Sequence, residues 1–160
     1  MDVREVFYMM KQYHRIQVAV DGSKEADLAF KKSVAAAKRN EAVLEILHVI
    51  DTRSFQNVSS FDSEMVEQVS NDAKDKLQKY YDEAKEAGVE EVHFSIEFGS
   101  PKSIIAHEFP KKHQIDLIIV GATGLNAVER ILIGSVTEYV TRTADCDVLV
   151  CRSKENQDLI

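Results

Sequence analysis

The sequence predicts one α/β domain, built as an open, doubly wound parallel sheet of five strands in the order 3-2-1-4-5 with helices on both faces. Three observations predict it. Short runs rich in Val, Ile and Leu alternate with longer segments of helical period. Those runs are almost wholly apolar, as strands covered on both faces must be. No repeat or linker interrupts the alternation, and 160 residues fall within the roughly 100–200 usual for one domain. Right-handed crossovers then put the topological switch between the first and fourth strands, where ligands of open sheets lie at the strand C-terminal ends.

The first 14 residues form an extension in which Val3, Val6, Phe7 and Met10 stand at helical spacing, read as a short docked helix or a frayed arm. Strand one is Ile16 to Val20; Asp21-Gly22-Ser23 turns the chain into a helix from Lys24 to Arg39, with Ser23 as N-cap and Asn40 as terminator. Strand two is Val43 to Val49. A polar, Ser-rich connection from Asp51 to Phe61 is long for a compact domain and so is either functional or mobile. Asp62 to Ala87 reads as a long helix with the stripe Met65, Val69, Ala73, Leu77, Tyr80 or Tyr81, and Ala84; Gly88 stops it. Val92 to Ile96 is strand three. Ser100 and Pro101 together signal the start of a helix that runs to His113. Leu117 to Val120 is strand four, Val136 to Ala144 the last helix and Asp147 to Arg152 strand five. Residues 15–152 thus form the domain, and 153–160 a loose tail.

A formal net charge of −7, with Lys and Arg scattered among acids, argues against a sequence-independent nucleic-acid binder. No apolar run approaches the about 20 residues that span a bilayer, and residues 1–14 are too polar for a signal peptide, so no membrane role and a cytoplasmic location are expected. Cys146 and Cys151 make neither a CxxC pair nor a metal knuckle and read as packing thiols.

The chemistry concentrates in Gly121-x2-Gly124-x9-Gly134-Ser135, which leaves strand four and opens the last helix. Glycines let a backbone approach a ligand, and a helix start offers unpaired N–H groups to an anion. The stretch is neither a Walker A loop, having no lysine between Gly121 and Val140, nor a GxGxxG fingerprint. A phosphate would be held by backbone N–H groups, with Ser135 or Thr137 adding hydroxyls. The competing reading is a capping box, Ser135-Val-Thr-Glu138, with Gly121 or Gly124 only shaping a turn. The apolar insert Ala127, Val128, Ile131, Leu132 and Ile133 reads as a docked turn or a lid. Asp21 ends strand one opposite Gly121, either to bind ribose hydroxyls or to close an Asp-Gly turn. His48 and His93 read as satisfied strand histidines; His107 and His113 lack the spacing of a metal helix. No GxSxG elbow or nucleophile–base pair specifies an enzyme.

Val18-Ala-Val-Asp-Gly-Ser23, Leu47-His-Val-Ile-Asp51 and Asp116 through Val140 together resemble the universal stress proteins, and the G-x2-G-x9-G-[ST] loop resembles that of their ATP-binding branch. The likeness runs from Arg15 to Arg152. It implies the HUP-like, adenine nucleotide α-hydrolase-like fold. It also implies a regulatory, stress-response function, with ATP or AMP bound and Mg²⁺ or Mn²⁺ carried on the nucleotide. By the same resemblance Asp21 meets the ribose and adenine side, Ala19 lines the base pocket and Val49 offers it backbone contacts. Val120, Gly121 and Gly124 follow the ribose and phosphates, while Gly134, Ser135, Val136 and Thr137 hold the phosphates. Ala122 and Thr123 replace the Ser and His/Arg commonest in the family loop, removing a hydroxyl and a cation; Arg130 is the candidate replacement, or else an ion-pair partner of Glu129. A homodimer through Val148 to Cys151 is implied as well, and covering an open apolar edge gives it a physical motive. Two alternatives stand beside the ATP-dependent sensor: a slow ATPase or phosphoryl- or adenylyl-transfer enzyme of the same superfamily, and a nucleotide-free interaction dimer.

Overall fold

The computed structural model describes residues 1–10, 13–55, 63–124 and 133–153. In chain order it contains α1 (Val3–Met10), β1 (Arg15–Ala19), α2 (Lys24–Asn40), β2 (Val43–Asp51), a 3₁₀ turn (Thr52–Phe55) and α3 (Ser63–Glu86). There follow β3 (Val92–Gly99), a helix over 101–113 (α4), β4 (Leu117–Gly121), α5 (Ser135–Thr143) and β5 (Asp147–Cys151). The five strands are parallel and ordered β3-β2-β1-β4-β5, as the sequence predicts.

Strand parity divides the core into two layers. Ile16 and Val18 of β1, Leu44 and Ile46 of β2, and Leu117 and Ile119 of β4 point to one face, where Ala29, Phe30 and Leu77 of α2 and α3 cover them. Ala19, Leu47, Val49, Ile118 and Val120 point to the other, under Ile104, Ile105 and Phe109 of α4 and Val140 of α5. Polar residues share that second face: buried Glu45 takes the Arg15 guanidinium, and Gln17 is wholly buried.

Several expected boundaries shift for local reasons. β1 begins at Arg15 and ends at Ala19, although the Val20 N–H still bonds Leu47 O at 2.9 Å. Asn40 is the last residue of α2 rather than its terminator, and Glu41 takes the left-handed cap at φ 49°. Asn40 instead bridges backbones, donating to Ala36 O and accepting from Tyr13 N–H. Ser23 caps α2 as predicted, its Oγ accepting from Ala26 N–H at 3.1 Å. Ser100 stands at the N-cap of α4 without a side-chain cap bond, leaving Pro101 as the start signal. The predicted stripe of α3 is buried at Ala73, Leu77 and Ala84 and half-buried at Val69, but Met65 is 44% exposed. At about 1.5 Å per residue this 24-residue helix outruns the eight-residue strand β3, so its first turns overhang the sheet. α1 is helical, with Val3, Val6 and Met10 turned to solvent.

α4 holds the least expected feature, because Pro110 lies inside it. The central turn, Ile104–Glu108, is a π-helix in which Phe109 N–H reaches back to Ile104 O. The widened turn accommodates a proline ring that would crowd an α-helix. Pro110 has no N–H to give to Ile105 O, five residues back, and Gln17 Nε2 supplies that bond at 3.0 Å.

Candidate functional site

Beyond Val18 and Ile119 the paired strands β1 and β4 diverge, and the fork opens into a cavity of about 730 Å³. Ala19, Asp21, Val49, Val120, Gly121, Gly124, Gly134, Ser135, Val136 and Thr137 all line it. The structure therefore gathers these ten sequence-derived candidates around one space. Sequence reasoning missed Asp51, Ser54, Pro101 and Ile105, which also line it. Two of these carried a signal: Asp51 is the last residue of a central strand, and α4 starts directly after β3 at the same end of the sheet.

The three glycines have different local causes. A Cβ on Gly121 would stand 2.8 Å from Glu25 Cβ and 2.9 Å from Glu25 C, so β4 approaches the first turn of α2 too closely for any side chain. On Gly124 it would stand 2.7 Å from Asp21 Oδ2. At Gly134, φ is −60° and a Cβ would find its nearest neighbours at 3.5 Å, so the protein's own packing does not require glycine there. Gly134 N–H bonds Ala122 O at 2.8 Å and brings the two ends of the loop together.

Gly134, not Ser135, is the N-cap of α5, and no side chain caps it. The capping-box reading is thereby corrected: Ser135 is already helical, and Glu138 pairs with Arg142 at 3.9 Å instead of reaching back. The first intrahelical bond runs from Glu138 N–H to Gly134 O, so the N–H groups of Ser135, Val136 and Thr137 precede it and face the cavity side of the helix start. Thr137 donates its hydroxyl to Gly121 O at 2.7 Å, tying α5 to β4.

Asp21 serves the turn with one oxygen, Oδ1 accepting from Ser23 N–H at 2.9 Å, while Oδ2 faces Gly124. Asp51 accepts from the Arg53 backbone N–H and side-chain Nε, both at 3.0 Å, and from Nη2 at 2.8 Å. These bonds hold the Asp51 carboxyl below its usual range. Asp21 and Asp51 are the only charged side chains among the described lining residues. One stretch of the lining, Ala19, Leu47, Val49, Val120 and Ile105, is apolar. His48 Nδ1 lies 2.7 Å from Val20 O, which satisfies it as expected; His93 pairs with exposed Glu91, and the His113 ring stacks on Phe109. No cluster of metal-ligating side chains occurs among the described residues.

The predicted insert lies outside the described residues apart from Ile133, which lines the cavity, as do Glu129 and Arg130, the connection from 56 to 61 and the tail from 154. No helix among the described residues is long and apolar enough to cross a membrane.

An open parallel sheet with a cavity at its topological switch point, edged by Gly121, Gly124 and the uncapped start of α5, defines an α/β protein of the doubly wound class. Residues 12–152 match the model of the universal stress protein family. A putative universal stress protein of Staphylococcus aureus is 46% identical over 146 residues, 91% of this chain and 88% of that protein. Among solved structures, universal stress protein UspA from Lactobacillus plantarum superposes with a TM-score of 0.77 at 33% identity, covering 88% of this chain and 99% of that one. A universal stress protein solved in complex with cAMP gives a TM-score of 0.64 at 25% identity, over 88% and 98% of the two chains. The chain belongs to the universal stress protein family.

Proposed function

We propose that this protein binds an adenine nucleotide, ATP or AMP, in the switch-point cavity and acts as a cytoplasmic stress-response regulator whose occupancy biases an interaction surface. The observation that carries the reading is the start of α5: three consecutive N–H groups and a glycine N-cap that its described neighbours do not demand, beside an apolar wall in the same cavity. The cAMP complex of a family member supports a nucleotide in this class of cavity. In this reading Ala19 and Val49 flank the base, Asp21 Oδ2 accepts from the ribose, Val120, Gly121 and Gly124 follow the sugar, and Gly134 to Thr137 hold the phosphates. Any Mg²⁺ or Mn²⁺ travels on the nucleotide, since two carboxylates at the rim disfavour a bare polyphosphate. β5 joins a second copy: it is an edge strand, and its Leu149 is 41% exposed.

The test is direct. Protein denatured as purified releases an adenine nucleotide detectable by mass spectrometry, or ATP with Mg²⁺ raises the melting temperature of the emptied protein. Gly134→Val abolishes that rise while leaving the circular dichroism spectrum unchanged. An empty protein whose melt saturating ATP and AMP both leave unmoved refutes the reading.

A further inference from the structure

The described lining of the cavity presents two carboxylates and no cation, so a phosphate held there gains from any positive charge that stands close by. Arg53 is committed to Asp51 by three hydrogen bonds. Lys102 is not. It stands in the first turn of α4 between Pro101 and Ile105, the two α4 residues on the cavity wall. No carboxylate among the described residues pairs with it, and its Nζ rests 6.0 Å from the centroid of the Tyr139 ring. That is the outer limit of a cation–π contact, so little holds it there. Nor does its own helix explain it, because a cation in a first turn opposes the helix dipole and no acid in that turn compensates.

Tyr139 lies three residues, about one helical turn, beyond Val136, so the ring beside the ammonium belongs to the same helix whose start lines the cavity. We propose that Lys102 is the mobile counter-charge of this site: it lies against Tyr139 when the cavity is empty and swings to the phosphate held by the N–H groups of Ser135 to Thr137. Lys102 thereby selects phosphate-bearing ligands over nucleosides. This rests on the nucleotide reading above and deepens it. A flexible four-carbon stem with three rotatable donors suits a residue that must leave one partner for another.

The experiment titrates adenosine, AMP and ATP with Mg²⁺ into wild type, Lys102→Met, Lys102→Arg and Lys112→Met, the last a charge control at the far end of α4, each at low and high salt. Lys102→Met weakens AMP and ATP about tenfold, leaves adenosine unchanged and flattens the salt dependence. Lys102→Arg recovers most of the loss, and Lys112→Met matches wild type. Equal weakening of adenosine assigns Lys102 a structural role and overturns the proposal, as does undiminished AMP and ATP binding by Lys102→Met. If wild type binds none of the three, the nucleotide reading itself fails.

Discussion

A methyl group added at Gly121 meets the Glu25 backbone, which cannot step aside, whereas one at Gly134 meets ordinary van der Waals distances. Gly121→Ala therefore lowers stability by about 1–3 kcal/mol, the range for overpacking, seen as a lower urea midpoint. Gly134→Ala costs no more than about 1 kcal/mol, through a poorer N-cap, yet weakens nucleotide binding. If both variants lose stability alike, glycine at position 134 is structural. Tyr80 offers a second test. Burial and the hydrogen bond it donates to Asp27 push its phenol well above the ordinary tyrosine range. Its folded pKa lies above the unfolded value, so the stability it contributes is full below about pH 10 and drains away as pH climbs from there toward the raised value. In a spectrophotometric titration Tyr80 ionises late, as does Tyr13, whose phenol is held up by its hydrogen bond to Asp147, and Tyr80→Phe removes part of the late phase. Sequence showed the candidate glycines but not their reasons, because one is set by a helix about 95 residues away in the chain and another has only ordinary contacts among the described residues.

At the level of the element, α4 ties a proline to a distant glutamine. Pro110 withholds the N–H that Ile105 O lacks, and Gln17 on β1 makes good the deficit, leaving its own Oε1 unpartnered. Gln17→Leu strands that carbonyl and costs about 1–3 kcal/mol. Pro110→Ala restores a local donor, so in that background the cost of Gln17→Leu falls to less than half. A double-mutant cycle by urea denaturation reads the coupling, and strict additivity of the two substitutions would exclude the link. This device was not legible in the sequence: periodicity marked 101–113 as helical, but neither the π-turn nor the buried glutamine has a local signature. The strands and the other helices were legible because short, nearly continuous apolar runs stand apart from stripes of period 3.6. Their ends were less so, since β2 and β3 run on to Asp51 and Gly99 by pairing with each other, residue for residue.

Across the molecule, the exposed edge at β5 makes the assembly state the sharpest expectation. Leu149→Lys places a charge on that edge and yields a monomer by sedimentation; a mass unchanged from that of a wild-type dimer moves the interface elsewhere. The order of strands was readable because crossover handedness leaves few arrangements for this alternation of elements. The position of the cavity and the place of Asp21 on it followed from that order, while Asp51 was not read as part of it, since it gains its place through the length of β2.

The fork itself has a mechanical consequence. β1 and β4 are in register only from Ile16↔Leu117 to Val18↔Ile119, whereas β2 and β3 stay paired from Leu44↔Val92 to Asp51↔Gly99. The sheet is thus two stiff leaves sewn by a short seam, and a molecule in the fork would touch Asp21 on one leaf and Gly121 and Gly124 on the other. Such an occupant works as a clasp. Amide exchange should slow together at Val20 and Ala122, on opposite leaves, when the cavity fills, so that occupancy is felt as the stiffness of the whole sheet.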